Sequence, residues 1–463
     1  MEAESIRLHT GAGTVVDATT TLEGAKVKHL PPAREIPSTF LSSVKSWWAV
    51  GDKESAASEE RLLRMLPFFQ SSSWPRQNTD LPVVGTSSRV TLSSPKRFLN
   101  VFSIKHTSPS SSPKAPPAVF LHGFGAGHGF YFRNYPALAT WVARTSSPVY
   151  SHDWLGMGRS ARVPFVVHAK RTDVSSRVKQ AEDFFLDALE EWRAKEGLER
   201  MTLVGHSLGG YLATAYAERH PERVAKLILL SPAGVLGDRE AAQPSRELSD
   251  DQSSVMTASV NADADSGETG RNTRRRFSRW RRSQPLEPAS DEQVKAAHDE
   301  QRRKKQNESL TRRFFTYLWE DGWSPFQILR SLTVFGPMLV GKYSSRRFSG
   351  LTEEETRNLH DYILNITLAK GSGEYCISHI LAPFAMARKP LVDRVHALKM
   401  PVRFVYGEHD WMDPLGGLQS IERLQAAGNY DAKMYVAERA GHHVYLDNPD
   451  YVNELLLKEL SFE

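Results

Sequence analysis

The sequence predicts an α/β fold: a mostly parallel, twisted sheet with helices on both faces and a helical cap inserted into it. Two observations carry this expectation. Short apolar runs recur between helical patterns, at Ala118–Leu121, Val149–Trp154, Met201–Val204, Lys226–Leu230, Val402–Tyr406 and Lys433–Val436. Strands buried on both faces of a parallel sheet read in this way. One long span, 237–385, falls between two of these runs and reads as an insertion into the sheet domain. The 463 residues are 40% hydrophobic and 24% charged, enough for one large core.

Taken in order, residues 1–38 show no convincing period and are expected to form a disordered tail. Residues 39–88 read as a helical, membrane-proximal segment. Phe40, Leu41, Val44, Trp47 and Trp48 fall on one helical face, and a second helix runs through Leu62, Leu63, Met65 and Leu66. Such helices commonly pack on the main domain. Adjacent tryptophans also suit a membrane headgroup layer. Both readings stay open at this point. The first part of the core spans 89–236. It starts with a hairpin pattern from Arg89 to Ile104, broken near Ser93–Pro95, and holds a helix from Asp173 to Trp192. Residues 237–310 are polar and charge-segregated and are expected to be disordered. A cap over 311–385 contains helical patterns at Phe314–Leu339 and Leu351–Leu368, and the core resumes over 386–463.

The net charge of +5 is the remainder of two opposed blocks within the insert. An acidic stretch from Asp238 to Glu268 precedes an arginine cluster, Arg271–Arg282, that includes Phe277 and Trp280. The overall balance gives no case for nucleic-acid binding. The arginine cluster reads either as a contact for an anionic membrane surface or as a solvated tract. Cys376 is the single cysteine, so an internal disulfide and a Cys/His zinc framework are excluded and a reducing compartment is favoured. We find no P-loop, no dinucleotide-binding glycine pattern and no metal-ligand spacing, so neither cofactor nor metal is expected. No apolar run is long enough to span a bilayer. The opening Met1-Glu2-Ala3-Glu4 argues against a signal or transit peptide.

The chemistry is concentrated at Val204-Gly205-His206-Ser207-Leu208-Gly209-Gly210, a G-x-S-x-G pattern between an apolar run and a helix. This places Ser207 on a tight strand-to-helix turn. Gly205 and Gly209 permit close backbone approach, and the helix N-terminus favours developing negative charge. A serine nucleophile needs a base, and the base needs an orienting acid. Asp410 follows the run at Val402–Tyr406 and is the candidate acid, with Asp413 as alternate and Glu408 expected in solvent. His442, after Gly441 and the last strand, is the candidate base, and His443 is expected to pack or lie at the surface. The loop His122-Gly123-Phe124-Gly125-Ala126-Gly127 follows another strand. The backbone N–H groups of Phe124 and Leu208 are the candidate oxyanion donors. His122, Gly123 and Gly125 are expected to shape that loop.

These motifs, with D-W-L-G-M-G-R-S at 153, Y-G-E-H-D-W-M-D at 406 and G-H-H-V-Y-L-D at 441, resemble the α/β-hydrolase-domain 4/5 subfamily. That group includes mitochondrial cardiolipin-specific deacylases and lysophosphatidic acid acyltransferase-like proteins. The resemblance covers about 40–235 and 310–463. It implies the α/β-hydrolase fold and an intracellular peripheral-membrane enzyme, mitochondrial, with lipid droplet or cytoplasm as alternatives. It implies Ser207, Asp410 and His442 as a triad and phospholipid or lysophospholipid substrates. One branch of the family lacks the serine and acts as a coactivator; Ser207 favours an enzyme here. The resemblance also links an H-x-x-x-x-D pattern, formed here by His442 and Asp447, to acyl transfer. On physical grounds Asp447 reads as structural, because Asn448-Pro449-Asp450 behind it is a helix start.

Overall fold

The computed structural model describes residues 19–22, 25–75, 80–110, 113–236, 295, 317–319 and 321–461. The arginine cluster at 271–282 lies outside the described residues. Eight strands form one sheet: β1 (Val83–Thr91), β2 (Phe98–His106), β3 (Ala118–Leu121), β4 (Val149–His152), β5 (Met201–His206), β6 (Val224–Leu230), β7 (Val402–Gly407) and β8 (Ala432–Ala437). Their spatial order is 8-7-6-5-3-4-2-1. β2 pairs antiparallel with both β1 and β4, and every other pairing is parallel.

The apolar runs are continuous because alternate residues serve two cores. Val119, Leu121, Leu203, Leu227 and Leu229 face one layer, while Ala118, Phe120, Val204, Ile228 and Leu230 face the other. This is the period of two of a strand buried on both sides. The first layer is covered by α4 (Val174–Lys195), α5 (Leu208–Arg219) and α9 (Pro414–Ala426). The second is covered by α2 (Asp52–Leu63), α3 (Tyr135–Thr145) and α10 (Pro449–Leu460). Asp173 starts α4 by accepting the Ser176 N–H at 3.0 Å, as an N-cap aspartate does.

The cap between β6 and β7 is helical where its described residues overlap the patterns at Phe314–Leu339 and Leu351–Leu368. Its described part holds α6 (Pro325–Ser331), a short 3-10 turn, α7 (Gly336–Arg347) and α8 (Glu353–Leu368). Pro325 and Pro337 each occupy the first turn of a helix, where the missing N–H costs nothing. The two prolines therefore divide one apolar stretch into two helices.

The N-terminal region shows two features, of which the first departs from expectation. Within the segment read as a loose tail, Thr19–Leu22 pairs antiparallel with Ala25–Lys28. Further on, Arg61 donates to the Pro31 carbonyl and Arg34 pairs with Glu54 at 3.1 Å. The second feature is the orientation of α1 (Phe40–Ala49), for which the sequence leaves two readings open. Ser43 and Ser46 are its buried residues, whereas Phe40, Leu41, Trp47 and Trp48 are exposed, Trp48 by 82%. Ser43 Oγ donates to Val334 O at 2.5 Å and accepts from Met338 N at 3.0 Å, which fastens α1 to the cap.

Candidate active site

The loop after β3, Ser207 after β5, Asp410 after β7 and His442 after β8 all lie at the C-terminal ends of parallel strands. Open α/β sheets bind their ligands at that edge. Ser207 has φ 51° and ψ −118°, a conformation that a non-glycine residue adopts only when its surroundings enforce it. The enforcement is visible. Ser207 N–H donates to Leu230 O at 3.0 Å, and its carbonyl accepts from Gly210, Tyr211 and Ala233. A Cβ on Gly205 would lie 2.5 Å from Gly209 O, and one on Gly209 would lie 2.6 Å from His122 O. The two glycines let strand, helix and the loop after β3 close on one another.

His442 Nδ1 lies 3.0 Å from Asp410 Oδ1, and both side chains are buried. The carboxylate accepts, so Nδ1 carries the proton and Nε2 is left as the basic nitrogen. Met412 N–H also donates to Asp410 Oδ1, at 3.0 Å. Asp413, the alternate acid, instead accepts from Leu415 N–H at 3.0 Å as the N-cap of α9. Glu408 is partly exposed and accepts from Arg439 N–H.

Ser207 and His442 line a cavity that opens toward the cap. Its floor includes Phe124 and Phe130, its roof is Phe326, Val340, Tyr343 and Ile363 from the cap, and His206 and His443 complete the wall. The loop after β3 is held by His122, whose Nε2 accepts from Trp154 N–H at 3.0 Å and whose Nδ1 contacts Gly123 O at 2.8 Å. Burial pushes the His122 imidazole down, against the pull of Asp153, so it holds the loop in its neutral form. A Cβ on Gly123 would lie 2.9 Å from Ser207 Cβ, and Gly125 has φ +73° with its open side against the Phe326 ring. Among the described residues, no acceptor sits on the backbone N–H of Phe124 or of Leu208.

Around the site several residues support its loops, and of these Arg347 carries no local sequence signal. His206 Nε2 donates to the His442 carbonyl at 3.0 Å. Burial and the neighbouring His442 drive its pKa far below the ordinary range, so the ring is neutral. His443 is buried, stacked on Phe130 at 5.8 Å, and likewise kept neutral by burial and by Arg347. Asp447 binds Arg347 of α7 through both oxygens, at 2.8 and 3.0 Å, and accepts the Gly441 N–H at 2.9 Å. Asn448 then caps α10.

Beneath the loop, Glu59, His128 and Asp153 gather their ligand-type atoms within 4.8 Å. Arg159 Nη1 pairs with Glu59 at 2.5 Å, Asn100 donates to both carboxylates, and His128 N–H donates to Asp153 at 2.8 Å. Burial opposes ionisation of Glu59, but His128 and Arg159 outweigh it and hold the carboxyl at about 2. The His128 imidazole is raised, because Glu59 and Asp153 outweigh its burial. The cluster is thus a set of charges that satisfy one another.

The alpha/beta hydrolase fold family matches residues 116–449, and the chain belongs to that family. Its relatives place it more narrowly. It is 32% identical over 359 residues to a probable 1-acylglycerol-3-phosphate O-acyltransferase of Oryza sativa subsp. japonica, covering 76% of this chain and 68% of that one. It is 28% identical to a (lyso)-N-acylphosphatidylethanolamine lipase of Bos taurus, over 73% of this chain and 78% of that one. It is 29% identical to the 1-acylglycerol-3-phosphate O-acyltransferase ABHD5 of Sus scrofa, over 74% and 77% respectively. These lipid-acting relatives are of the domain 4/5 type that the motifs resemble. Among the described residues no helix is long and apolar enough to cross a membrane.

Proposed function

We propose that the protein is a serine acyl hydrolase that deacylates membrane glycerophospholipids or lysophospholipids. The observation that carries this is the His442–Asp410 hydrogen bond beside Ser207, on a turn that opens into an apolar cavity. Ser207 Oγ attacks the acyl carbonyl carbon while His442 Nε2 takes its proton. The oxyanion is held by the Phe124 and Leu208 N–H groups, a kind of interaction worth about 3–4 kcal/mol per donor. The imidazolium, held by Asp410, protonates the departing lysolipid oxygen. Water, deprotonated by His442, then attacks the acyl-Ser207 ester and releases the fatty acid. Ser207→Ala is expected to abolish deacylation by purified, folded protein; full residual activity refutes the assignment.

The relatives named as acyltransferases favour a second reading, in which a lysophosphatidate hydroxyl replaces water as the attacking group. Product analysis with acyl donor and lysolipid together separates the two. Acylated lipid that rises with acceptor concentration, without matching free fatty acid, identifies transfer. Cardiolipin is the membrane lipid whose deacylation would place the protein in mitochondria. A lipidome of cells lacking the protein, read for cardiolipin against lysophosphatidate, decides between them. A non-catalytic scaffold is the reading that survives if an active-site fluorophosphonate fails to label Ser207.

Membrane contact is part of the same proposal. Leu41, Trp47 and Trp48 turn outward together, and Phe40 meets exposed Phe335 of the cap at 5.4 Å. Contiguous aromatic surface of this kind marks an interaction site rather than ordinary exposure.

A further inference from the structure

A second, smaller and partly open cavity adjoins the one that holds Ser207. The two share Gly125, Ala126, Phe326 and Thr367 as common walls. Their linings differ in kind. Beyond the shared wall the charged groups are Arg162, Arg330 and Glu374, which sum to one positive charge.

Arg162 is fixed by carbonyls. Its Nη1 donates to Gly156 O at 2.8 Å, and its Nη2 to Gly158 O at 2.5 Å and Ile366 O at 3.3 Å. Carbonyls orient a guanidinium without neutralising it. Among the described residues no carboxylate lies within ion-pair distance of Arg162. Burial pushes its pKa down, with Arg330 adding to that against the pull of Glu374 and Asp153. Arg330, from α6, pairs with Glu374 Oε1 at 2.5 Å, and Glu374 Oε2 accepts Ser372 N–H at 2.8 Å. The one carboxylate in the lining is therefore already engaged by Arg330, and the lining of this cavity, a cradle one wall away from the Ser207 cavity, carries one net positive charge, with Asp153 behind it also attracting Arg162.

We infer that this cavity is the seat of the phosphate group of the lipid whose acyl ester lies at Ser207. The inference rests on the acyl-hydrolase reading above and adds the residues that select a phosphate-bearing substrate. An anion is the ligand that restores neutrality here, and guanidinium forks match phosphate oxygens. The short glycerol linker of a glycerophospholipid brings its ester and phosphate into neighbouring sites. A neutral acylglycerol fills the Ser207 cavity but leaves the cradle without a counter-charge.

The test is a binding selectivity, measured in Ser207→Ala protein so that it needs no turnover. Calorimetry compares short-chain phosphatidylglycerol, below its micelle concentration, with the diacylglycerol of the same chains. Arg330→Gln is expected to lower the phosphate-over-neutral affinity ratio by about tenfold or more, the scale of one charged hydrogen bond. Glu374→Gln is expected to raise that ratio, because it removes the competing anion while keeping an oxygen near Arg330. A purely structural ion pair predicts the same direction for both variants, so equal signs, or ratios within twofold of the parent, overturn the inference. Inorganic phosphate and a lysophosphatidate are compared as competitors. Competition by lysophosphatidate alone supports a lipid headgroup site. Equal competition by inorganic phosphate, with lipid binding unchanged in Arg330→Gln, overturns it. Loss of turnover in the protein with intact Ser207, while this selectivity persists, refutes the hydrolase reading and leaves the subsite standing.

Discussion

Asp447 offers the sharpest test of how the active-site loop works. Its carboxylate takes both Nη atoms of Arg347 and the N–H of Gly441, the residue before His442. The two charged side chains are 16% and 17% exposed, so solvent weakens their attraction without removing it. A hydrogen bond to a charged group contributes about 1.5–3 kcal/mol net, and breaking a fully buried pair costs about 3–5 kcal/mol. For this partly screened pair, Asp447→Ala is expected to cost about 2–3 kcal/mol of stability. A double-mutant cycle with Arg347→Ala isolates the pairwise part by chemical denaturation. The loop then loses its tether beside His442, so hydrolysis and acyl transfer should fall by the same factor. The assay is both product yields from one reaction mixture. Transfer abolished while hydrolysis and stability stay intact would refute this reasoning and give Asp447 a direct role in acyl transfer.

Three further outcomes follow from the geometry. Gly209→Ala places a methyl against the Leu121 and His122 carbonyls, which are backbone and cannot rotate away; stability should drop by about 1–3 kcal/mol with a larger loss of turnover, and unchanged turnover contradicts the role of this close approach. Trp48→Ser should leave the melting temperature unchanged but weaken vesicle binding about thirtyfold, from about 2 kcal/mol of lost apolar burial. Undiminished flotation with vesicles refutes the foothold. Finally, the Glu59–His128 pair sets a pH window. Glu59, depressed to about 2, stabilises above its unfolded value of 4.5 and loses that contribution as pH falls toward 2. His128, raised above 6.5, stabilises below that value and loses its contribution as pH rises through its folded pKa. Glu59→Gln should therefore flatten the acid limb of the stability profile below pH 4.5; an unaltered limb refutes the assignment.

What was legible in the sequence divides along a physical line. The inner parallel strands are readable because they are buried on both faces, and burial leaves an unbroken apolar run such as Leu227–Leu230. Ser207, Asp410 and His442 stand out in the sequence as candidates because each follows a strand-like run, where local glycine and acid patterns survive. Asp410 and Asp413 were separable only by partner: one reaches His442 and the other caps a helix. The helical character of the cap is legible in its apolar pattern, while its division follows Pro325 and Pro337, each of which lies in the first turn of a helix rather than continuing one. Arg347, Arg330 and Glu59 were not legible at all. Their partners lie far away in the chain, as Arg347 to Asp447 and Glu59 to His128 illustrate, and no local spacing encodes such meetings.

The orientation of α1 bears on the two readings that its sequence leaves open, packing on the main domain and contact with a membrane. Its apolar face was visible, and packing that face inward is what a water-soluble helix ordinarily does. Here the inward contact is made by small polar residues. Ser43 bridges Val334 O and Met338 N, and a Cβ on Gly341 would stand only 2.6 Å from Pro37 O, so backbone meets backbone across this seam. Such close approach needs small side chains, and it leaves Leu41 and the tryptophans no room on the protein side. The polar seam and the aromatic outer face are thus two consequences of one packing choice. Both belong to a helix fastened to α7, whose Val340 and Tyr343 roof the cavity above Ser207. The aromatic outer face and the roof of the cavity are therefore parts of one tied unit, so the membrane contact proposed above would set the cavity beside the lipid surface.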